Sequence, residues 1–211
     1  IGWDLDEALT TDVLDGEVDG EDVQLIFGDI ATIARESGSS ARVTLVNGAE
    51  MILDDSNDVG SDNRGIEITD PSFGRAIVDW DEFESLVLRP LPTSTVGAEA
   101  SAGETRLRGT VVALGKRPVS GLIRWDNDEA FTWETLDGRT EEVAVAIEFE
   151  HVRSIERLGE ESRVTLADGR VFTLDSSGDV GEDHRGVFID TGAGETVLVR
   201  WRDFVSATFE P

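Results

Sequence analysis

The chain has 211 residues, with 18 basic and 45 acidic side chains, a net charge of −27 and no Cys. The apolar set is 39% and Gly adds 22 residues, which reaches the globular share and excludes disorder throughout. Missing Cys excludes disulfide frameworks, thiolate zinc, iron–sulfur clusters and a Cys nucleophile, the charge argues against nucleic acid and anionic membrane as partners, and no apolar run is long enough to span a bilayer.

In chain order, the run Asp15–Asp22 begins like an EF-hand loop, but its twelfth position is Ile26, which cannot ligate, so a solvated acidic hairpin tip is expected. Leu25 to Ile33 predicts a strand, a corner and a strand. Arg42 to Leu53 predicts a hairpin turning at Asn47-Gly48. A single helical turn is expected near Asp81 to Glu84. Residues 91–104 read as a flexible linker. Residues 105–122 predict a hairpin, with Thr110 to Leu114, a turn at Gly115 to Pro118 and a return over Val119 to Ile123. Ile147 to Ile155 repeats the strand–corner–strand pattern. Arg163 to Leu174 is a hairpin about Asp168-Gly169, Gly186 to Trp201 another, and Arg202 to Phe204 a second helical turn.

The chain is a tandem duplication. At an offset of 121, Arg42 to Leu45 falls on Arg163 to Leu166, Asp58-Val59-Gly60 on Asp179-Val180-Gly181, Arg64-Gly65 on Arg185-Gly186, Trp80 on Trp201 and Phe83 on Phe204. At 122, Trp3-Asp4 falls on Trp125-Asp126, Leu14-Asp15-Gly16 on Leu136-Asp137-Gly138, and Phe27 on Phe149. The expected organisation is repeat A over 1–90, the linker 91–104, and repeat B over 105–211 with the leading hairpin 105–122. The expected fold is all-β: two tandem small β-barrels of five to seven strands each, SH3/Sm-like or sandwich, with short helical turns. The paired aromatics are expected in the cores.

Val112-x-Leu114-Gly115 to Gly121-x-Ile123-x-Trp125-Asp126, followed by Phe131, resembles the first motif of Sm-like proteins. The resemblance implies a small strongly bent barrel; the family's RNA binding does not carry over, because the charge has the wrong sign. The whole repeat also resembles a group of uncharacterised bacterial exported repeat proteins. That similarity implies an extracellular or envelope location and no activity.

His151 and His184 face Asp29 and Asn63 in the duplicate, and no nucleophile elbow, zinc-protease helix, phosphate loop or dinucleotide fingerprint is present. The expectation is therefore a protein that is not an enzyme. The loop 54–65 recurs as 175–186, and keeps Asp54, Asp58 and Asp62 as Asp175, Asp179 and Asp183. Clustered Asp oxygens suit Ca²⁺, which makes these six candidate metal ligands. Asx turns, with Asp side chains bonded to backbone N–H groups, are the competing reading.

Residues 1–90 carry net −17, residues 123–211 net −12, and residues 91–122 net +2. The basic hairpin precedes repeat B alone, so repeat A is expected to present an unfilled strand edge, a template for another chain. The candidate interface is Ile1, Trp3, Arg106, Arg108, Val111, Lys116, Arg117 and Trp133. The leading expectation is a structural protein that self-associates by strand complementation into a filament or surface layer, processed and exported, with Ca²⁺ as a candidate stabilising ion. The alternatives are a monomeric module for Ca²⁺ or a basic partner, and a soluble protein of a salt-rich cytoplasm.

Overall fold

The computed structural model describes residues 13–89, 105–141, 143–192 and 194–210, and the backbone alone of 3–4. Ile1, the side chain of Trp3 and the linker 91–104 lie outside the described residues. The chain forms two compact units: unit 1 is Ile1–Thr69 with Ala76–Ala98, and unit 2 is Asp70–Arg75 with Glu99–Pro211.

Unit 1 carries β1 (Trp3–Asp4), β2 (Val13–Val18), β3 (Glu21–Ile26), β4 (Ile30–Ser37), β5 (Ser40–Leu45), β6 (Glu50–Asp54), β7 (Ile66–Asp70), β8 (Gly74–Val78) and β9 (Ser85–Val87). Its main sheet has the order β3-β2-β6-β5-β4-β9, antiparallel throughout. β1 pairs in parallel with β7. The corner expected between Leu25 and Ile33 is a 3-10 turn, Phe27–Asp29, which buries Phe27.

Unit 2 carries β10 (Arg108–Ala113), β11 (Val119–Arg124), β12 (Thr135–Thr140), β13 (Val143–Glu148), β14 (Val152–Leu158), β15 (Glu161–Leu166), β16 (Val171–Leu174), β17 (Val187–Asp190), β18 (Thr196–Val199) and β19 (Phe204–Phe209). Eight of these form one sheet in the order β16-β15-β14-β19-β10-β11-β17-β18. Strands are more numerous than the five to seven expected, because β12 and β19 form outside the predicted hairpins, and 3-10 turns make the corners at Phe149–His151 and Trp201–Asp203. The helical turn expected at Arg202 to Phe204 begins one residue earlier. Its unit 1 counterpart is a hydrogen-bonded turn in which Phe83 N donates to Asp79 O and Trp80 O.

The strands follow the period of two. Along β15, Ser162, Val164 and Leu166 are buried while Arg163 is exposed. The register slips at matched places, between Ile30 and Thr32 on β4 and between Val152 and Ser154 on β14, so the duplication extends to its bulges. Unit 1 closes over Leu14, Phe27, Ile33, Leu53, Trp80 and Phe83. In unit 2 the fully buried Trp125 is the hub. Its ring lies 5.4 Å from Phe204, 6.0 Å from Trp201 and 6.2 Å from Phe149, the edge-to-face range in which aromatic pairs add to burial.

The units and the repeats part company at one place. The turn Asp70–Arg75 lies in repeat A but belongs to unit 2. There Phe73 O accepts from Glu148 N at 3.0 Å, the Phe73 ring sits 5.9 Å from Phe172, and the Arg170 guanidinium lies 5.1 Å from the Phe73 ring centre. Gly74 fits because a Cβ there would come within 2.3 Å of Ala146 O. Repeat B carries Gly194 and Glu195 at these two positions, so its own turn lacks both the aromatic anchor and the clearance.

Gly186 has φ +117, and a Cβ on it would lie 2.8 Å from Val199 O. Gly192 also has positive φ but faces open space. Gly186→Ala therefore combines backbone strain with a clash, and we expect a loss of about 1–3 kcal/mol. Gly192→Ala should cost less. Urea unfolding of the two variants checks the ordering.

Candidate functional site

The two Asp-rich loops solve a backbone problem. β2 pairs with β6 only at Glu17 and Asp54, so Asp15 is left without a strand neighbour on that side. Ser56 Oγ donates to Asp15 O at 2.6 Å and Asp58 Oδ2 accepts from Asp15 N at 3.0 Å. Ser56 Oγ also accepts from Asp58 N at 3.1 Å. Two side chains thus stand in for a missing strand. Unit 2 repeats the device. Arg139 and Asp175 exchange both backbone bonds at 3.0 Å, Ser177 Oγ donates to Asp137 O, and Asp179 Oδ2 accepts from Asp137 N at 2.8 Å.

The central Asp of each loop makes the side-chain-to-backbone bond of the Asx reading. Asp58 is buried and Asp179 half-buried, each turned onto a strand N–H, while Asp54, Asp62, Asp175 and Asp183 are exposed. Among the described residues, the one group of three or more acidic or His ligand atoms converging within 4.8 Å is Glu148, Glu150 and His151. Asp54, Asp58 and Asp62, and likewise Asp175, Asp179 and Asp183, do not form such a group, and the central Asp of each set is bonded to a strand N–H. Of the loop glycines, Gly65 and Gly186 take positive φ, and Gly60 and Gly181 do not.

The loops diverge at their ends. Asn63 Oδ1 accepts from Gly65 N at 2.8 Å and its Nδ2 donates to Asp58 O at 2.7 Å. His184 keeps the first bond, its Nδ1 accepting from Gly186 N at 2.8 Å, but Asp179 O is taken by Trp125 Nε1 at 2.9 Å. His184 Nε2 is then buried with no partner. Burial pulls the His184 pKa down to about 4, against the pull of Asp126.

Acids crowd the neighbouring turn. Asp126 and Asn127 both have positive φ. Asp126 is buried and bonded by Arg185, whose Nη2 also reaches both oxygens of Asp128 at 2.7 and 2.9 Å. Burial raises the Glu129 carboxyl to about 7 and the Asp179 carboxyl to about 6, and the surrounding Asp charges push both further up.

The expected interface residues separate. Val111 is 1% exposed and belongs to the core of unit 2, so it offers no contact surface. Arg106, Arg108, Lys116 and Arg117 are exposed. Trp133 is 49% exposed and stacks on Phe131 at 6.1 Å, with the Arg106 guanidinium 5.2 Å from the Phe131 ring. These three make a short aromatic–cation ladder.

The strand edge is the larger feature. In unit 2, β19 lies between β14 and β10, with Gly109 opposite Phe209 and Thr110 opposite Thr208. In unit 1 the counterpart β9 pairs with β4 and ends the sheet. Among the described residues, no strand occupies the place that β10 fills in unit 2. Val87 is 59% exposed there.

No family model, no curated protein and no solved structure matches this chain.

The raised Glu129 sets a pH dependence. Its folded pKa of about 7 lies above the ordinary value of 4.5, so the folded state binds the extra proton, and stability falls as pH rises through 7. From pH 8 to pH 6.5 the melting temperature should increase, and Glu129→Gln should flatten that rise while raising stability at pH 8. Calorimetry across this window checks the sign. His184 opposes the trend as pH falls through about 6.5, where the unfolded chain takes up its proton and the folded ring, with its pKa near 4, does not.

Proposed function

We propose that this chain is a non-enzymatic structural module that self-associates, the β9 edge of unit 1 taking a strand from a second copy. The observation that carries the reading is the contrast, among the described residues, between β19, flanked on both sides, and β9, flanked on one. Because unit 2 is a duplicate, it serves as the mould for the completed form: Glu210 N donates across the sheet to Arg108 O at 2.9 Å. The residue matching Glu210 is Arg89, so by alternation Ser85, Val87 and Arg89 turn their N–H groups outward. Leu88 N turns inward, to Ala31 O at 2.9 Å. An outward row of unpaired donors and acceptors is a template for strand addition. Two β9 edges meeting antiparallel about a two-fold axis is the simplest arrangement, and it closes as a dimer.

Charge makes this association salt-dependent. Residues 1–90 carry net −17, so two unit 1 faces repel until the charges are screened. The Debye length falls from about 8 Å at physiological salt to about 3 Å at 1 M.

Light scattering coupled to size exclusion should show mass above the monomer at high protein concentration, rising with added NaCl. Val87→Pro removes one outward N–H and leaves the inward bond of Leu88 to β4 intact, so it should yield monomer at every salt concentration. Val87→Lys should act in the same direction through charge on the edge. A wild-type chain that is monomeric under all these conditions, or variants that associate as the wild type does, would contradict the reading.

A further inference from the structure

Against the acidic background, one recess of unit 2 is basic. It has a volume of about 440 Å³ and is lined by Arg157, Arg185, Arg200 and Arg202, with Glu182 the one acid, over His184 and Trp201. The duplication separates the arginines that hold the fold from those that do not. Arg157 Nη1 donates to Trp201 O at 3.3 Å and to Arg202 O at 3.1 Å. Arg35 does the same in unit 1, to Trp80 O and Asp81 O, so this clamp belongs to the scaffold. Arg185 is engaged by Asp126 and Asp128.

Arg200 and Arg202 have no such task. Unit 1 carries Asp79 and Asp81 at the matching positions, and the same turn forms there around Trp80 and Phe83 with acids in place of bases. The Arg200 guanidinium makes no hydrogen bond or ion pair among the described residues, and Arg202 reaches only Asp203, at 4.0 Å. Two acids in one repeat are thus two bases in the other, at a place where folding tolerates both.

A second observation points the same way. His184 is 5% exposed, and its ring is stacked 4.2 Å from that of Trp201. Since Nδ1 accepts from Gly186 N, the proton of the neutral ring sits on Nε2, a buried donor with no acceptor. Buried donors are normally satisfied. At the matching position of unit 1, Asn63 is bonded through both of its polar atoms.

We infer that the recess over Trp201 binds a small oxyanion, a carboxylate or a phosphate, held between the guanidinium groups of Arg200 and Arg202. Planar guanidinium forks match both groups. The net charge of −27 does not prevent this, because at physiological salt charges beyond about 8 Å are largely screened and the local set decides.

Two-dimensional NMR titration of the intact chain, at constant ionic strength, with inorganic phosphate in one arm and citrate in the other, tests the inference. The Trp201 indole and the His184 ring should shift in a saturable way in at least one arm, and the arm that saturates identifies the ligand chemistry. Arg200→Asp with Arg202→Asp installs the residues that unit 1 carries, so the fold should persist while binding weakens by at least about tenfold. Arg106→Asp, an exposed arginine outside the recess, should leave binding unchanged. No saturable shift in either arm, or equal binding by the double variant, would overturn the inference.

Discussion

A β-strand at the end of a sheet leaves half of its backbone donors and acceptors without protein partners, and much of this structure can be understood as ways of meeting that constraint. Unit 2 meets it with a hairpin: β10 lies along β19 and β11 along β17. Within each unit the acidic loops meet it with side chains, where Ser56 and Asp58, or Ser177 and Asp179, bond to a strand residue on the side that lacks a strand neighbour. At β9 the described residues supply neither solution. Self-association follows as the proposal because the filled version of the same edge exists in the same chain.

The duplication also works as an internal control. Features present in both units belong to the scaffold: the Arg35 and Arg157 clamps, the Ser–Asp staples, the bulges on β4 and β14, and the 3-10 corners that bury Phe27 and Phe149. Features present in one unit ask for another explanation. Replacing Asn63 by His184 gives up a bond to the loop carbonyl, which Trp125 recovers, and strands a donor at Nε2. Replacing Asp79 and Asp81 by Arg200 and Arg202 reverses the charge beside it. These differences fall in one recess and gather basic side chains there within an acidic molecule.

The fold class was largely legible in the sequence, because alternation of buried residues and Asp-Gly or Asn-Gly turns are local signals, and because a repeat of Trp, Gly and Asp in fixed order exposes its own boundaries. Among the described residues, Phe27 and Phe149, Trp80 and Trp201, Phe83 and Phe204, and Trp125 are buried as their burial preference implies. The site was less legible. An Asp side chain offers the same oxygens to Ca²⁺ and to a backbone N–H, so the loop sequence alone left both readings open; the bonds from Asp15 N and Asp137 N to Asp58 and Asp179 become visible only in the fold. Val111 stands in a basic hairpin and was grouped with its surface, yet alternation turns it into the core. Nothing in the sequence marked 70–75 as part of unit 2, since Phe73 and Gly74 resemble any turn residues until Phe172 and Ala146 O are brought beside them. The basic recess was missed for a similar reason: its arginines come from β14, the loop before β17 and the turn after β18, and only folding brings them together.

The central proposal is that β9, an edge among the described residues, is closed by a second copy. Amide hydrogen exchange of Ser85, Val87 and Arg89, followed as the protein is diluted, tests it most directly. The account predicts slow exchange at high concentration and fast exchange at low concentration, while Leu88, bonded inward to Ala31, stays protected at both. Protection of the three outward amides that does not change with dilution would contradict it, since the edge would then be sealed within a single molecule.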